Sequence, residues 1–370
     1  MKHARNLLLV MAVLGAGTIY DVTDLGNLGG AYATAFGLNQ QGQAVGSATD
    51  HWGNFHALLF NKNGIFNLTP NQGAAFGINS AGAIVGTEYV QGQPYATVWQ
   101  DGSKEHVAGA GSYATALNEN GDVAGMLTLN NQGRAFVTQD SQVSILAGPQ
   151  GSQWSSAYAI NNSGEAAGYA MVGSGFEAMA WSPQGNPTML GGLGGQSSYA
   201  MGLNDEGDVV GHAQVASGYM HAFLWNGRAM QDLGTLGGSS SYAYGINDDG
   251  QTVGYSTLSD GANHAFLYSG GTLFDLNSLI GDSSGWTLDA AFAVNNAGQI
   301  VGTGTLNGIE HAFLLGPAPV VSYTLQSNEV LLDASPTPEP GTWLLMLGGL
   351  AAIVILKTPR GQALMLRLGR

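Results

Sequence analysis

Small and large apolar residues alternate over short stretches of this chain, break at a polar turn, and return in the same order seven times. The clearest copy runs from Ala243 to Gly254, AYGINDDGQTVG, and is followed by HAFLY from His264. Its companions are AFGLNQQGQAVG from Ala35, AFGINSAGAIVG from Ala75, ATALNENGDVAG from Ala114, AYAINNSGEAAG from Ala157, AMGLNDEGDVVG from Ala200 and AFAVNNAGQIVG from Ala291. The anchoring asparagines, Asn39, Asn79, Asn118, Asn161, Asn204, Asn247 and Asn295, are spaced by 40, 39, 43, 43, 43 and 48 residues. A period in this range marks a solenoid or a propeller. The apolar stretch before each asparagine and the short run ending in V-G after it predict a hairpin. Asn and Gly tolerate the positive φ of a tight turn, and the asparagine side chain can bond nearby backbone. The second half of each repeat is HALLF at His56, YATVW at Tyr95, RAFVT at Arg134, EAMAW at Glu177, HAFLW at His221, HAFLY at His264 and HAFLL at His311. Apolar side chains fall on both faces of that segment, as in a strand packed on two sides. A stretch such as MQDLGTLGG from Met230 supplies a fourth strand and a Gly-Gly exit. Four short strands in about 40 residues predict one propeller blade. No repeat carries a 3.6-residue period, so helical solenoids are disfavoured.

The ring must also close. The last repeat stops at HAFLL without a D-L-G strand, while YDVTDLGNLGG from Tyr20 is an unattached one that aligns with RAMQDLGTLGG from Arg228. The amino-terminal strand is therefore expected to complete the last blade and leave no open edge. The expectation is an all-β, seven-bladed propeller of four-stranded blades over residues 18–316.

The flanks differ from the body. Residues 1–17 combine Lys2, His3 and Arg5 with the apolar run Leu7 to Leu14 and Gly15-Ala16-Gly17, the layout of a secretory signal. Residues 317–337 are a linker that becomes proline-rich. Residues 338–370 open with Pro338-Glu339-Pro340, and Thr342 to Leu356 then runs 15 residues without a charge before Lys357 and Arg360. As a transmembrane-type helix that run would reach about 23 Å, short of a ~30 Å hydrocarbon core.

Charge narrows the partners. Only Lys62, Lys104, Arg134 and Arg228 serve the body, against 22 of the 25 acids, a balance of −18. Such a surface repels nucleic acid. The absence of cysteine removes disulfides and thiol chemistry.

Several constellations invite chemistry. His56, His221, His264 and His311 recur at one position in four repeats, but rotation places them on a circle and not around one ion, so they are expected to tie a strand end to backbone. The acidic turns at Asn118 and Asn204 lack the spacing of a calcium loop. No nucleophile elbow, zinc-protease motif or phosphate loop stands out, so no catalytic residue, metal or cofactor is expected. Trp52, Phe55, Tyr89, Phe176 and Tyr219 fall in loops between second and third strands, and Tyr113, Tyr199 and Tyr242 in loops that open a blade. Of these, Trp52, Tyr89, Tyr113, Tyr199, Tyr219 and Tyr242 are the candidates to stack on sugar rings, with packing between blades as the competing role.

Pro338-Glu339-Pro340-Gly341-Thr342, the apolar run and the basic end resemble the PEP-CTERM, or VPEP, sorting signal of bacterial exported proteins. This resemblance implies recognition by an exosortase-type processing enzyme at the inner membrane, which the tail would engage transiently. The body resembles a bacterial family of probable extracellular repeats named for its H-A-F tripeptide. The matching residues are His221-Ala222-Phe223, His264-Ala265-Phe266 and His311-Ala312-Phe313, with Asp232 to Gly238 and the seven N-x-x-G turns. It implies an exported repeat protein without a defined activity. The expected role is a non-enzymatic surface or matrix component, with exopolysaccharide as a partner. The alternatives are a propeller enzyme with paired carboxylates across an axial pocket and a calcium-dependent adhesion module.

Overall fold

The computed structural model describes residues 20–281 and 285–318, together with the backbone of residues 353–357 and 363–367. The chain divides into two units, 1–319 and 320–370. The first is an all-β propeller of seven four-stranded antiparallel blades. Six blades are built from consecutive strands within residues 29–67, 73–106, 112–145, 155–189, 194–232 and 241–275. The seventh takes three strands from residues 286–317 and its outer strand from Tyr20–Gly26, which pairs with Ile309–Pro317 from Tyr20↔Pro317 to Gly26↔Ala312. The unattached D-L-G strand therefore closes the ring. Tyr20 is buried there beside Leu276, Ile280 and Leu315.

Blade six shows how the repeated phrase folds. Its strands are Ser241–Ile246, Thr252–Thr257, Asn263–Ser269 and Thr272–Asp275. The turn Asn247–Gly250 joins the first two, with Gly250 N–H donating to the Asn247 carbonyl and Gly250 at φ 73°. The first strand carries a bulge between Ala243 and Gly245, repeated at the same place in all seven blades. A bulge bends its strand and re-aims one side chain. The extra residues are Phe36, Phe76, Thr115, Tyr158, Met201, Tyr244 and Phe292, and four of the aromatic ones meet around the axis: Phe36 lies 5.4 Å from Phe76 and 5.2 Å from Phe292, and Tyr244 lies 5.1 Å from Phe292. The V-G glycine follows from the same bulge. A Cβ on Gly254 would run into the Tyr242 carbonyl oxygen and the Phe266 ring.

The core lies between blades. Within HAFLY, Ala265 and Phe266 are both fully buried, and every blade buries the equivalent pair down to Ala57–Leu58 and Ala96–Thr97. The alanine is small because the neighbouring blade arrives there: Ala222 N–H donates to Ser241 Oγ at 2.8 Å, and Ala96, Ala135 and Ala178 do the same to Ser112, Ser155 and Ser198.

In the second unit Ile353–Lys357 pairs antiparallel with Ala363–Arg367. This corrects the expected tail helix, which does not cover residues 353–356. Ile353, Val354 and Ile355 are β-branched, stiff at χ1, and favour extended backbone. Among the described residues no helix is long and apolar enough to cross a membrane. The signal at 1–17, most of the linker, and Pro338, Glu339 and Pro340 lie outside the described residues.

Candidate functional site: the two faces of the ring

Antiparallel blades put the turns between first and second strands on one face and the loops between second and third strands on the other. On the first face stand the seven asparagines, all buried. Each Oδ1 accepts the N–H four residues on, as Gln251 N–H donates to Asn247 at 2.9 Å. Each Nδ2 donates to the asparagine carbonyl of the next blade: Asn39 to Asn79, Asn79 to Asn118, Asn118 to Asn161, Asn161 to Asn204, Asn204 to Asn247, Asn247 to Asn295 and Asn295 back to Asn39, at 3.0–3.2 Å. The turn residue thus also links the blades into a closed circle.

The following residue of each turn forms an outer rim. Ser80 N–H donates to Glu119, Glu119 N–H to Asn162, Asn162 N–H to Asp205, Asp205 N–H to Asp248, Asp248 N–H to Asn296 and Asn296 N–H to Gln40. This rim opens into an axial pocket of about 550 Å³ walled by Leu38, Ile78, Leu117, Ile160, Leu203, Ile246 and Val294. In the sequence these rim residues read as plain turns. Their convergence appears only once the ring is closed.

The opposite face is aromatic. Trp52 is 76% exposed, Tyr219 54% and Tyr89 38%. Tyr32, Phe55 and Trp154, at the same end of their blades, are exposed too, and Tyr32 stacks on Phe55 at 6.5 Å. The other three candidates are partly buried between blades. Tyr199 packs 5.0 Å from Tyr169 and 5.1 Å from His212, and Tyr242 lies 4.9 Å from His212 and 4.8 Å from Tyr255. Burial pushes the Tyr113 hydroxyl up, helped by the adjacent Tyr89. His212, enclosed by these rings with its Nδ1 unpartnered, is pushed down by burial to about 4.

The repeated histidines hold a carboxylate in three blades, where a backbone tie was expected. His221 Nδ1 lies 2.9 Å from Asp232, His264 Nδ1 2.7 Å from Asp275 and His311 Nδ1 2.9 Å from Asp24, each the aspartate of the fourth strand. Blade one has no such aspartate in its fourth strand, Gly64–Asn67. There His56 turns to Asp50 at 3.2 Å and to the Thr69 carbonyl at 3.4 Å. Burial opposes ionisation of Asp50, but hydrogen bonds from Asn54, His56 and the Trp52 N–H outweigh it and hold the carboxyl well below the usual range. Blade two substitutes a buried Glu88 held by Lys104 at 2.7 Å. Among the described residues no group of three or more His, Asp or Glu is placed to hold a metal ion.

Two carboxyls are pushed up by burial, Asp289 against the opposing Thr305 hydroxyl and His264, and Glu310 against the opposing Thr303 hydroxyl with Asp289 adding to the rise. They belong to blade seven, in its first and third strands, and not to the axial pocket.

No family model matches the chain, and no curated protein matches its sequence. Solved propellers do. The β-propeller domain of the Trilobed protease from Pyrococcus furiosus, described as having an open velcro topology, matches at TM-score 0.51 and 10% identity over 80% of this chain and 93% of that one. Oligogalacturonate lyase in complex with manganese matches at TM-score 0.52 and 12% identity over 82% and 94%. The likeness is one of fold. TolB from Acinetobacter baumannii matches at TM-score 0.45 and 9% identity over 74% of this chain, which spans 63% of TolB.

Proposed function

We propose that the protein is an exported, non-enzymatic component of the cell surface or extracellular matrix that binds exopolysaccharide through its aromatic face. The observation that carries this is the grouping of Tyr32, Trp52, Phe55, Tyr89, Trp154 and Tyr219 at one end of the blades, exposed to solvent. Flat rings with wet, polar neighbours stack on the apolar faces of sugars, and these rings keep an open face to solvent even where they touch a neighbour, as Tyr32 touches Phe55. The acidic body, with its few cations, suits a neutral polysaccharide better than an anionic one. Residues 1–17 and 338–370 carry the exported part of the reading: a secretory signal, then processing near Pro338-Glu339-Pro340 by an exosortase-type enzyme at the inner membrane.

The test uses protein recovered from outside the host cell. Its intact mass should end near Gly341, and exopolysaccharide should retain it, with Trp52→Ala and Tyr219→Ala each weakening retention about fivefold or more, the scale of one lost stacking contact. Protein that still ends at Arg370, or retention indifferent to both substitutions, would overturn the reading. An enzyme on this scaffold is the second reading, in which the neighbouring carboxyls Asp289 and Glu310 of blade seven would have to take the place of a pair across the axial pocket, where they do not lie. It requires new reducing ends on incubation with polysaccharide and their loss in Asp289→Asn.

A further inference from the structure

The axial pocket on the asparagine face is not used by the aromatic reading, and its chemistry is layered. The deeper wall is aliphatic, one Leu, Ile or Val from each blade, and the rim above it is polar. Its volume of about 550 Å³ lies inside the range of small-ligand sites, roughly 300–1,000 Å³.

Hydrogen-bond accounting at the rim decides what fits. Six of the seven rim N–H groups are already spent on the next blade. Three of the four side-chain donors are spent as well, Asn162 Nδ2 on Asp205 at 2.6 Å, Asn296 Nδ2 on Asp248 at 2.6 Å and Ser80 Oγ on Glu119 at 3.0 Å, which leaves the Gln40 amide against three carboxylates. Each carboxylate oxygen of Glu119, Asp205 and Asp248 accepts one of these bonds and has room for another. No Lys or Arg lines the pocket. The rim therefore offers acceptors and negative charge, and a complementary ligand brings donors and positive charge. The order of the layers adds a direction, because the acids are outermost and the aliphatic wall lies below. A lysine side chain or a diamine entering tip-first would bury its ammonium against Leu and Ile, at a high desolvation cost.

We propose that the axial pocket binds a primary ammonium attached to an apolar group that enters first, the chemistry of a short alkyl monoamine or of a peptide amino terminus beside an apolar side chain. The apolar group occupies the aliphatic wall, and the ammonium donates to the spare lone pairs of whichever rim carboxylate it meets, Glu119, Asp205 or Asp248, with its remaining donors facing water.

The experiment is calorimetric titration of the full chain with n-hexylamine, 1,6-diaminohexane and 1-hexanol. Hexylamine should bind saturably and about tenfold more tightly than either comparison. Raising salt from about 0.05 to about 0.5 M should weaken hexylamine and leave hexanol unchanged. The combined Glu119→Gln, Asp205→Asn, Asp248→Asn variant should bind hexylamine no better than hexanol. Competition by Leu-Gly-Gly amide assigns a peptide source, and its failure to compete assigns a free alkyl amine. Hexanol binding as well as hexylamine, the diamine binding better, or affinity indifferent to salt would each sink the proposal, and the salt arm holds even if the triple variant fails to fold.

Discussion

Asn247 does two jobs with one side chain. Its Oδ1 closes its own turn and its Nδ2 fastens the next blade through the Asn295 carbonyl. Asn247→Ala removes both bonds and leaves buried partners unsatisfied, so unfolding in denaturant should show a loss of about 2 to 3 kcal/mol. Asn247→Asp separates the two roles, since it keeps the turn acceptor but turns an oxygen toward the Asn295 carbonyl. It should cost at least as much as alanine at neutral pH, and a neutral outcome would show that the inter-blade bond contributes nothing. The turn half of this was legible, because N-x-x-G is local chemistry. The circle was not, because its bonds join residues 39 to 48 positions apart, and 256 apart at the seam, and depend on the ring existing. The histidines teach the same lesson. Blades five, six and seven carry both His and the D-L aspartate, and blades three and four lack both, a pairing visible within the sequence once one expects the two strands to touch.

At the scale of the element, the strand Tyr20–Gly26 was readable because D-L-G occurred once too often at the front and once too few at the back. It contributes six paired positions, buried Tyr20, and Asp24 for His311. Deleting residues 20–30 should lower the melting temperature by about 5 to 10 °C, the equivalent of a few kcal/mol in a domain of this size. A frayed terminus would leave it unchanged. The bulge in each first strand was hidden, since the AFG and AYG phrases show only large–small alternation and nothing in them says that Phe36 or Tyr244 is the extra residue. The tail is the element where sequence pattern misled. The uncharged run reads as a helix, whereas its end, Ile353–Lys357, lies in a ladder with Ala363–Arg367.

For the whole molecule, the aromatics divided in a way loop position did not foretell: Trp52, Tyr89 and Tyr219 stayed open while Tyr199 and Tyr242 went between blades around His212. That histidine gives the ring a pH signature. Its proton is bound in the unfolded chain below about 6.5 but in the fold only below about 4, so the unfolded state gains protons first and stability falls as pH drops across that window. The loss is on the order of 3 kcal/mol. His212→Tyr, matching Tyr169 and Tyr255 in the neighbouring blades, should abolish that component when denaturation at pH ~7.5 and ~4.5 is compared with wild type. Asp289 and Glu310, raised by burial, act in the opposite sense, losing stability as pH rises, and cancel in that difference. The seam has a kinetic side as well. Asp24 and His311 stand 287 positions apart, so the first strand made is among the last to find its partner. Through synthesis its unpaired backbone must wait for blade seven. Contacts of such long range form slowly, and an open strand in the meantime is a template for wrong pairings. A chain delivered across a membrane before its last blade arrives would meet this constraint naturally, with closure reserved for the far side.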